Sequence, residues 1–201
     1  MTNFKSVKIS GLPGAPSREA VMRRLGAAPD RGISGFQDRW YGEALEHCEF
    51  NGVWRLFRSA DLTGESFGFG GGLVARILDG CEWGVLMAVT AGAGITAWIG
   101  EIFASGDAAR GTFCDAVASE GVEEALSSLH RSLVSTLSRQ GISLKRARIS
   151  PGYGDFSLAC QPTLIRELNA GELLGISVNQ VNFMTPEKSA TALTGGFEIT
   201  R

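Results

Sequence analysis

The sequence predicts an α+β fold in which a long helix packs on a mostly antiparallel, twisted sheet. Apolar side chains repeat at helical spacing from about Gly111 to Arg139, and Gly141 follows as a C-terminal stop. Gly175 to Phe197 has the alternation that is typical of extended strands. Elsewhere helical and strand patterns follow one another irregularly, which favours α+β over a regular βαβ repeat. We expect one domain over residues 1–201.

Shorter elements are predicted before the long helix. Ser17 is a candidate N-cap for the helical pattern REAVMRRLG, and Gly26 is the candidate C-terminal stop. The segment FQDRWYGEALEHC (36–48) favours a second helix. The segment VWRLF (53–57) alternates apolar and polar residues, as a half-buried strand does.

Glycines mark two turns in the middle of the chain. GESFGFGGG (64–72) predicts a mobile loop or a strand edge with bulges. TAGAGIT (90–96) lies between an apolar strand pattern and an amphipathic helix pattern, where backbone N–H groups can bind an anion. No acidic residue follows at the spacing of a dinucleotide site, so a packing turn is favoured. An unrelated small-molecule enzyme that uses this turn stays an alternative.

A further helix is predicted in the last third of the chain, over PTLIRELN. Pro162 is its expected first residue, since proline suits the first helical position. Two extended segments are predicted after it, GISVNQVNFM and SATALTGGFEI, separated by a turn at Pro186. The chain thus ends in strand patterns that we expect to join the sheet.

Composition excludes several classes of function. Hydrophobic residues make up 44% and charged residues 20%, and the formal net charge is −2, as in ordinary globular proteins. Lys and Arg are scattered, so we expect neither nucleic acid nor a membrane as a partner. The N-terminal MTNFKSVKIS has no apolar signal core, which predicts a cytoplasmic location. Four dispersed cysteines predict buried thiols.

No side chains have the spacing of a catalytic or metal site. His47 and His130 lie in helical patterns without partners at ligand or triad spacing, so we expect structural roles. Glu120, Glu123 and Glu124 form an acidic cluster that is most simply a solvated helix face. We therefore assign no catalytic residue and no metal ligand.

The segment RISPGYGDFSLACQ (148–161) has the clearest binding chemistry in the chain. Arg148 can hold a carboxylate with two N–H groups. Pro151 fixes one backbone angle, and Gly152 leaves room for a ligand near the backbone. Tyr153 offers an aromatic face and a hydroxyl. These residues suit a small zwitterion with a cationic or aromatic part, and the alternative is a Pro-Gly turn plugged by the tyrosine.

The order of these residues resembles the S-adenosylmethionine-binding region of the activation domain of cobalamin-dependent methionine synthase. The resemblance rests on Arg148-x-x-Pro-Gly-Tyr, on Gly-Ile-Ser-Val at 175–178 and on Met184-x-Pro-x-x-Ser. The variant PGYGDFSLACQ, with Gly154, Asp155 and Gln161, is similar to small stand-alone proteins related to that domain, as are REAVMRRLG and FCDAVASEGVEEAL.

The resemblance implies an accessory module for reductive reactivation of a cobalamin-dependent methyltransferase, with S-adenosylmethionine as methyl donor. Arg148 would then anchor the methionyl carboxylate, while Ser150, Gly152 and Tyr153 would line the site. Cobalamin would come only through a corrinoid-carrying methyltransferase, and an electron through a flavodoxin-type protein, so the chain alone would be an incomplete enzyme. The alternative is a non-catalytic binding protein of the same fold that docks on a corrinoid protein.

The chain departs from the family pattern at three positions that bear on binding. Gln180 stands where the family has an acidic residue before the Met-x-Pro turn, which removes a negative charge that could face a sulfonium. Thr194 stands at a tyrosine position, and Arg131 replaces the glutamate of a Leu-His-Glu sequence. The family's N-terminal acidic ligand segment has no counterpart. We therefore expect weaker S-adenosylmethionine binding than in the full-length domain.

Overall fold

The computed structural model describes residues 4–27, 35–64 and 67–199. Within these ranges the elements are, in chain order, β1 (Val7–Ser10), α1 (Arg18–Arg24), α2 (Gly35–Glu46), β2 (Asn51–Arg58), α3 (Ser59–Leu62), α4 (Gly72–Leu78), β3 (Trp83–Thr90), α5 (Ala93–Ala104), α6 (Ala108–Ser138), β4 (Ile142–Leu144), α7 (Gln161–Leu168), α8 (Ala170–Leu174), β5 (Ser177–Val178), β6 (Met184–Thr185) and β7 (Ser189–Glu198). None of the helices described is long and apolar enough to cross a membrane.

Five strands form the main sheet in the order β1-β2-β3-β7-β4, and every neighbouring pair is antiparallel. β5 and β6 form a separate two-stranded hairpin. Every residue of β3 is buried, because helices cover both faces of the sheet at its centre. The predicted α+β architecture with an antiparallel sheet is confirmed.

The two faces of the sheet support separate apolar cores. On one face, Val85, Met87 and Val89 of β3 share a core with α6, whose Leu129 is fully buried. On the other face, Leu86 and Ala88 pack with residues of α4, α7 and α8. Alternate residues of one strand thus serve opposite cores, as the two-residue period of a strand requires.

Local sequence signals place several helices correctly. The Ser17 side chain accepts a hydrogen bond from the N–H of Ala20 at 3.1 Å and so caps α1. Pro162 lies in the first turn of α7. The long helix begins three residues earlier than the pattern indicates, at Ala108, because the Asp107 side chain accepts the N–H of Arg110 and caps it there.

Two of the segment predictions are only partly confirmed. Within the glycine-rich stretch, residues 65 and 66 lie outside the described ranges, but Phe67 and Phe69 are buried and Gly72 begins α4. This stretch is therefore packed by its aromatic side chains and is not an open strand edge. The segment GISVNQVNFM is not one extended strand either, since it folds into the β5–β6 hairpin.

Candidate functional site

The Pro-Gly-Tyr loop lies beside the central part of the sheet. Ile149 exchanges two backbone hydrogen bonds with Leu193 of β7, at 2.9 and 2.8 Å, which fixes the start of the loop on this strand. The N–H of Gly152 donates to the carbonyl of Phe156 at 2.8 Å and closes the loop. Gly152 has φ +93°, a backbone conformation that favours glycine. The loop therefore has a defined shape.

Asp155 ties the loop to the start of α4. Its carboxylate accepts hydrogen bonds from the N–H of Leu73, at 3.0 Å, and from the N–H of Gly72. The residue before the helix is Gly71, which has no side chain to cap it, so Asp155 supplies the cap from a distant part of the chain. These hydrogen bonds, that from Leu73 first, hold the pKa of Asp155 below its usual range.

Gly154 allows this close approach between the loop and α4. It has φ +54°, and a Cβ at this position would lie 2.6 Å from Cδ1 of Leu73. A larger residue would therefore force the loop away from the helix. The Gly154-Asp155 variant of the Pro-Gly-Tyr motif thus has a structural cause.

We expect Asp155→Ala to lower the melting temperature, because the N–H groups of residues 72 and 73 lose their acceptor. Since the folded-state pKa of Asp155 is lowered, its stabilising contribution is present above the unfolded-state pKa and is lost as pH falls through the folded-state value. The difference between wild type and variant should be constant near neutral pH and should narrow below about pH 4. Thermal unfolding between pH 3 and 7 measures it, and a difference that widens in acid would contradict the assignment.

Arg148 lies at the side of the loop that faces α6. Its Nη2 donates to Oγ of Ser127 at 3.1 Å and lies 3.3 Å from Oε2 of Glu123. The Arg148 side chain is only 24% exposed, whereas that of Glu123 is 52% exposed. Within the described ranges, Nε and Nη1 of Arg148 have no hydrogen-bond partner. The guanidinium therefore keeps N–H groups for a carboxylate while it is positioned by α6.

A cleft of about 200 Å³ lies between this loop, α6, the β5–β6 hairpin and the start of β7. Its lining comprises Glu123, Ser150, Pro151, Tyr153, Leu158, Gln161, Asn182, Phe183, Met184, Ser189, Ala190 and Thr191. Two of the predicted site residues, Ser150 and Tyr153, are thus in the lining. Gly152 shapes the loop without lining the cleft, and Arg148 reaches it only through its contact with Glu123.

The buried side of the cleft is polar. Gln161, which is 2% exposed, donates through Nε2 to Oγ1 of Thr191 at 2.9 Å and contacts Sδ of Met184 at 2.9 Å. These three residues come from α7, β7 and β6. Gln161 therefore joins three walls of the cleft through one amide group.

The cleft continues along α6 into a polar groove of about 300 Å³, which shares Glu123, Ser189 and Ala190 with it. Lys188 lines this groove and is nearly buried, and its Nζ donates to Asp115 at 2.5 Å and to Ser119 at 3.0 Å. The cleft and the groove together form one elongated depression against the long helix.

The acidic cluster on α6 is more than a solvated face. Glu120 pairs with Arg24 at 2.9 Å, Glu124 pairs with Arg131 at 2.7 Å, and Glu123 pairs with Arg148. The prediction is corrected because α1 and the Pro-Gly-Tyr loop pack against this part of the helix and supply arginines. Glu123 thereby becomes a lining residue of the cleft.

The three departures from the family pattern lie outside the cleft lining. Gln180 is exposed in the turn of the hairpin rather than in a strand. Thr194 is fully buried in β7 and donates to the carbonyl of Ala147 at 2.7 Å. Arg131 is exposed and occupied by its ion pair with Glu124. The negative charge at the cleft comes instead from Glu123.

The two histidines have contacts that suit structural roles. His130 is 5% exposed, and its Nε2 lies 3.1 Å from the carbonyl oxygen of Lys145. Burial lowers the pKa of His130, and the Arg148 charge adds to that effect. The ring of His47 stacks on Trp98 with centroids 4.2 Å apart. No group of three His, Cys, Asp or Glu side chains within the described ranges is arranged to hold a metal ion.

The four cysteines are free thiols, and all but Cys48 are buried. Burial raises the pKa of Cys48 to about 12 and that of Cys114 to about 11.

The glycine turn at 90–96 is packed against the segment before β2. A Cβ at Gly92 would lie 3.4 Å from Cβ of Glu49, so protein atoms fill the space beside the turn.

No family model matches the chain, and no curated protein matches it by sequence. Among solved structures, the chain is similar to the crystal structure of the MetH reactivation domain bound to AdoHcy, with a TM-score of 0.68 and 14% sequence identity. The likeness covers 98% of this chain and 79% of that chain. At this identity the comparison establishes the fold.

Proposed function

We propose that this chain is an accessory module that binds S-adenosylmethionine and assists the reductive reactivation of a cobalamin-dependent methyltransferase of the methionine synthase type. The observation that carries the proposal is the cleft at the Pro-Gly-Tyr loop, in a chain whose fold is that of a reactivation domain bound to AdoHcy. AdoHcy is the product that S-adenosylmethionine leaves after methyl transfer. The proposal treats residues 1–201 as one domain.

The proposed binding mode places the amino-acid part of the ligand beside the ion pair of Arg148 and Glu123. The free N–H groups of Arg148 would hold the carboxylate, and Ser150 would contact the ligand from the loop that Gly152 shapes. The carboxylate of Glu123 lines the same cleft and would attract the positive charges of the ligand. Tyr153 would cover the ligand from the solvent side, where it is 68% exposed.

In this proposal the corrinoid and the electron come from other chains. A flavodoxin-type protein would supply one electron, which reduces cob(II)alamin on the methyltransferase to cob(I)alamin. The corrinoid of the partner would supply the electron pair that takes the sulfonium methyl group, and the carbon–sulfur bonding pair would stay on sulfur. The products are methylcobalamin and AdoHcy. The residues of this chain would bind and orient the methyl donor.

Titration calorimetry with S-adenosylmethionine tests the proposal directly. We expect Arg148→Ala to weaken binding by at least about tenfold, since charge-assisted hydrogen bonds contribute roughly 1.5–3 kcal/mol each. Arg131→Ala is the matched control, because Arg131 projects from α6 but pairs with Glu124 outside the cleft. Wild-type protein that shows neither heat nor a thermal shift at millimolar ligand would reject the proposal.

A second candidate is a non-catalytic binding protein of the same fold that docks on a corrinoid protein. The ion pair between Arg148 and Glu123 favours it, because a ligand carboxylate must compete with a partner already in place. This candidate predicts a complex with the corrinoid protein without any heat from S-adenosylmethionine. Calorimetry with S-adenosylmethionine and, separately, with the corrinoid protein therefore distinguishes the two functions.

A further inference from the structure

Two aromatic side chains at the mouth of the cleft are mostly exposed. Tyr153 is 68% exposed and Phe183 is 61% exposed, and both line the cleft. They belong to different walls, since Tyr153 lies in the loop before α7 and Phe183 lies in the β5–β6 hairpin. Among the described residues, no other aromatic ring stacks on either of them. Each ring is therefore open enough to stack on a planar group.

The hairpin holds Phe183 in a defined position. The Asn179 side chain accepts hydrogen bonds from the N–H groups of Val181 and Phe183 at 3.0 and 2.9 Å. The N–H of Asn179 donates to the carbonyl of Phe183 at 2.9 Å, and Asn182 takes the left-handed conformation with φ +65°. This turn pre-organises the aromatic side chain, so little ordering is needed when a ligand binds.

The other wall is braced independently. The backbone hydrogen bond from Gly152 to Phe156 and the contacts of Asp155 with α4 hold the loop on both sides of Tyr153. In the same cleft, Leu158 adds an apolar surface and Asn182 adds an amide that can donate and accept hydrogen bonds. The lining thus combines aromatic rings, on which a flat heterocycle can stack, with an amide that can hydrogen-bond to the edge of that heterocycle.

We propose that Tyr153 and Phe183 form a subsite for a purine base. In this subsite the adenine of the ligand stacks on the aromatic rings, and the side-chain amide of Asn182 forms hydrogen bonds with the edge of the adenine ring. This inference rests on the proposed function and deepens it, because it assigns the nucleoside part of the ligand to the hairpin side of the cleft. Stacking on an aromatic side chain typically changes the affinity for a base by at least about fivefold. A protein surface is a poorer match, because Tyr153 and Phe183 both lie at the mouth of a small cleft.

The test compares Phe183→Ala with Phe183→Trp and with the control Val181→Ala. Val181 is 62% exposed in the same hairpin but does not line the cleft. Titrations use S-adenosylmethionine, adenosine, and S-methylmethionine, which keeps the sulfonium amino acid and lacks the base. We expect Phe183→Ala to weaken the first two by at least about fivefold and to leave S-methylmethionine unchanged. Phe183→Trp should preserve all three affinities, and Val181→Ala should match wild type.

The possible outcomes separate the inference from the proposed function. If S-adenosylmethionine binds and depends on Arg148 but not on Phe183, the base subsite is overturned and the proposed function stands. If adenosine alone binds in a Phe183-dependent way, the subsite stands even though the methyl donor fails to bind. If no nucleoside binds, or if Phe183→Ala impairs only a complex with a corrinoid protein, the subsite is overturned and the aromatic pair belongs to a docking surface.

Discussion

Phe156→Ala is expected to lower the free energy of unfolding by about 3–5 kcal/mol, as is typical when a buried phenylalanine is truncated to alanine. Phe156 is fully buried beneath the Pro-Gly-Tyr loop, and its ring meets Phe69 edge-on with centroids 5.6 Å apart. The variant leaves a cavity where the loop, the glycine-rich segment and the helix-covered face of the sheet meet. Urea unfolding measures the loss as a shift of the midpoint at constant slope.

Phe103→Ala is the matched control for this variant. Phe103 lies on α5 and is 45% exposed, so its truncation removes less buried surface. We expect the control to lose clearly less stability than Phe156→Ala. Equal losses in the two variants would contradict the view that the loop is supported by a packed aromatic cluster beneath it.

The long helix and the central strand were predictable because their patterns are long. The apolar face of α6 repeats over about eight helical turns, and β3 is a continuous apolar run up to Thr90. β1 and β4 were not predicted, since strands of four and three residues carry too little alternation to be recognised. The pairing of these strands depends on the rest of the sheet.

Only one wall of the candidate site, the Pro-Gly-Tyr loop, was predictable from the sequence. The residues that shape the loop, Ser150 to Tyr153, stand out in the sequence because proline, glycine and tyrosine have special backbone and side-chain properties. Glu123 stood out only as part of an acidic cluster assigned to a solvated helix face, because its pairing with Arg148 joins positions that only the tertiary structure brings together. For Phe183 a signal was present, since Asn179 and Asn182 are typical turn residues that indicate a hairpin.

The glycine-rich segment shows why composition alone was misleading. Its glycines suggested a mobile loop or a strand edge, yet Phe67 and Phe69 alternate within it and are both buried. Their rings pack edge-on, with centroids 5.3 Å apart, in the same aromatic cluster as Phe156. Alternating phenylalanines among glycines were therefore the signal of a packed loop.

The largest functional effect is expected in a reconstituted reactivation assay. The wild-type chain, mixed with its cognate methyltransferase in the cob(II)alamin state, a flavodoxin-type reductant and S-adenosylmethionine, should speed the appearance of methylcobalamin in the visible spectrum. In the proposed function each component would be needed, because the electron would generate cob(I)alamin and the methyl donor would trap it before it is oxidised again. Arg148→Ala should slow the reaction at least about tenfold at subsaturating methyl donor, in proportion to its loss of affinity. Arg131→Ala, whose ion pair lies outside the cleft, should behave as wild type.

The pattern of variants decides which function the chain has. Acceleration that needs both S-adenosylmethionine and Arg148 would support binding of the methyl donor beside Arg148, whose Nη2 contacts Glu123 and Ser127 of α6. A stable complex with the methyltransferase but no acceleration would favour the non-catalytic binding protein. No acceleration and no complex would reject both cobalamin functions and leave only the α+β fold that the chain has in common with the reactivation domain.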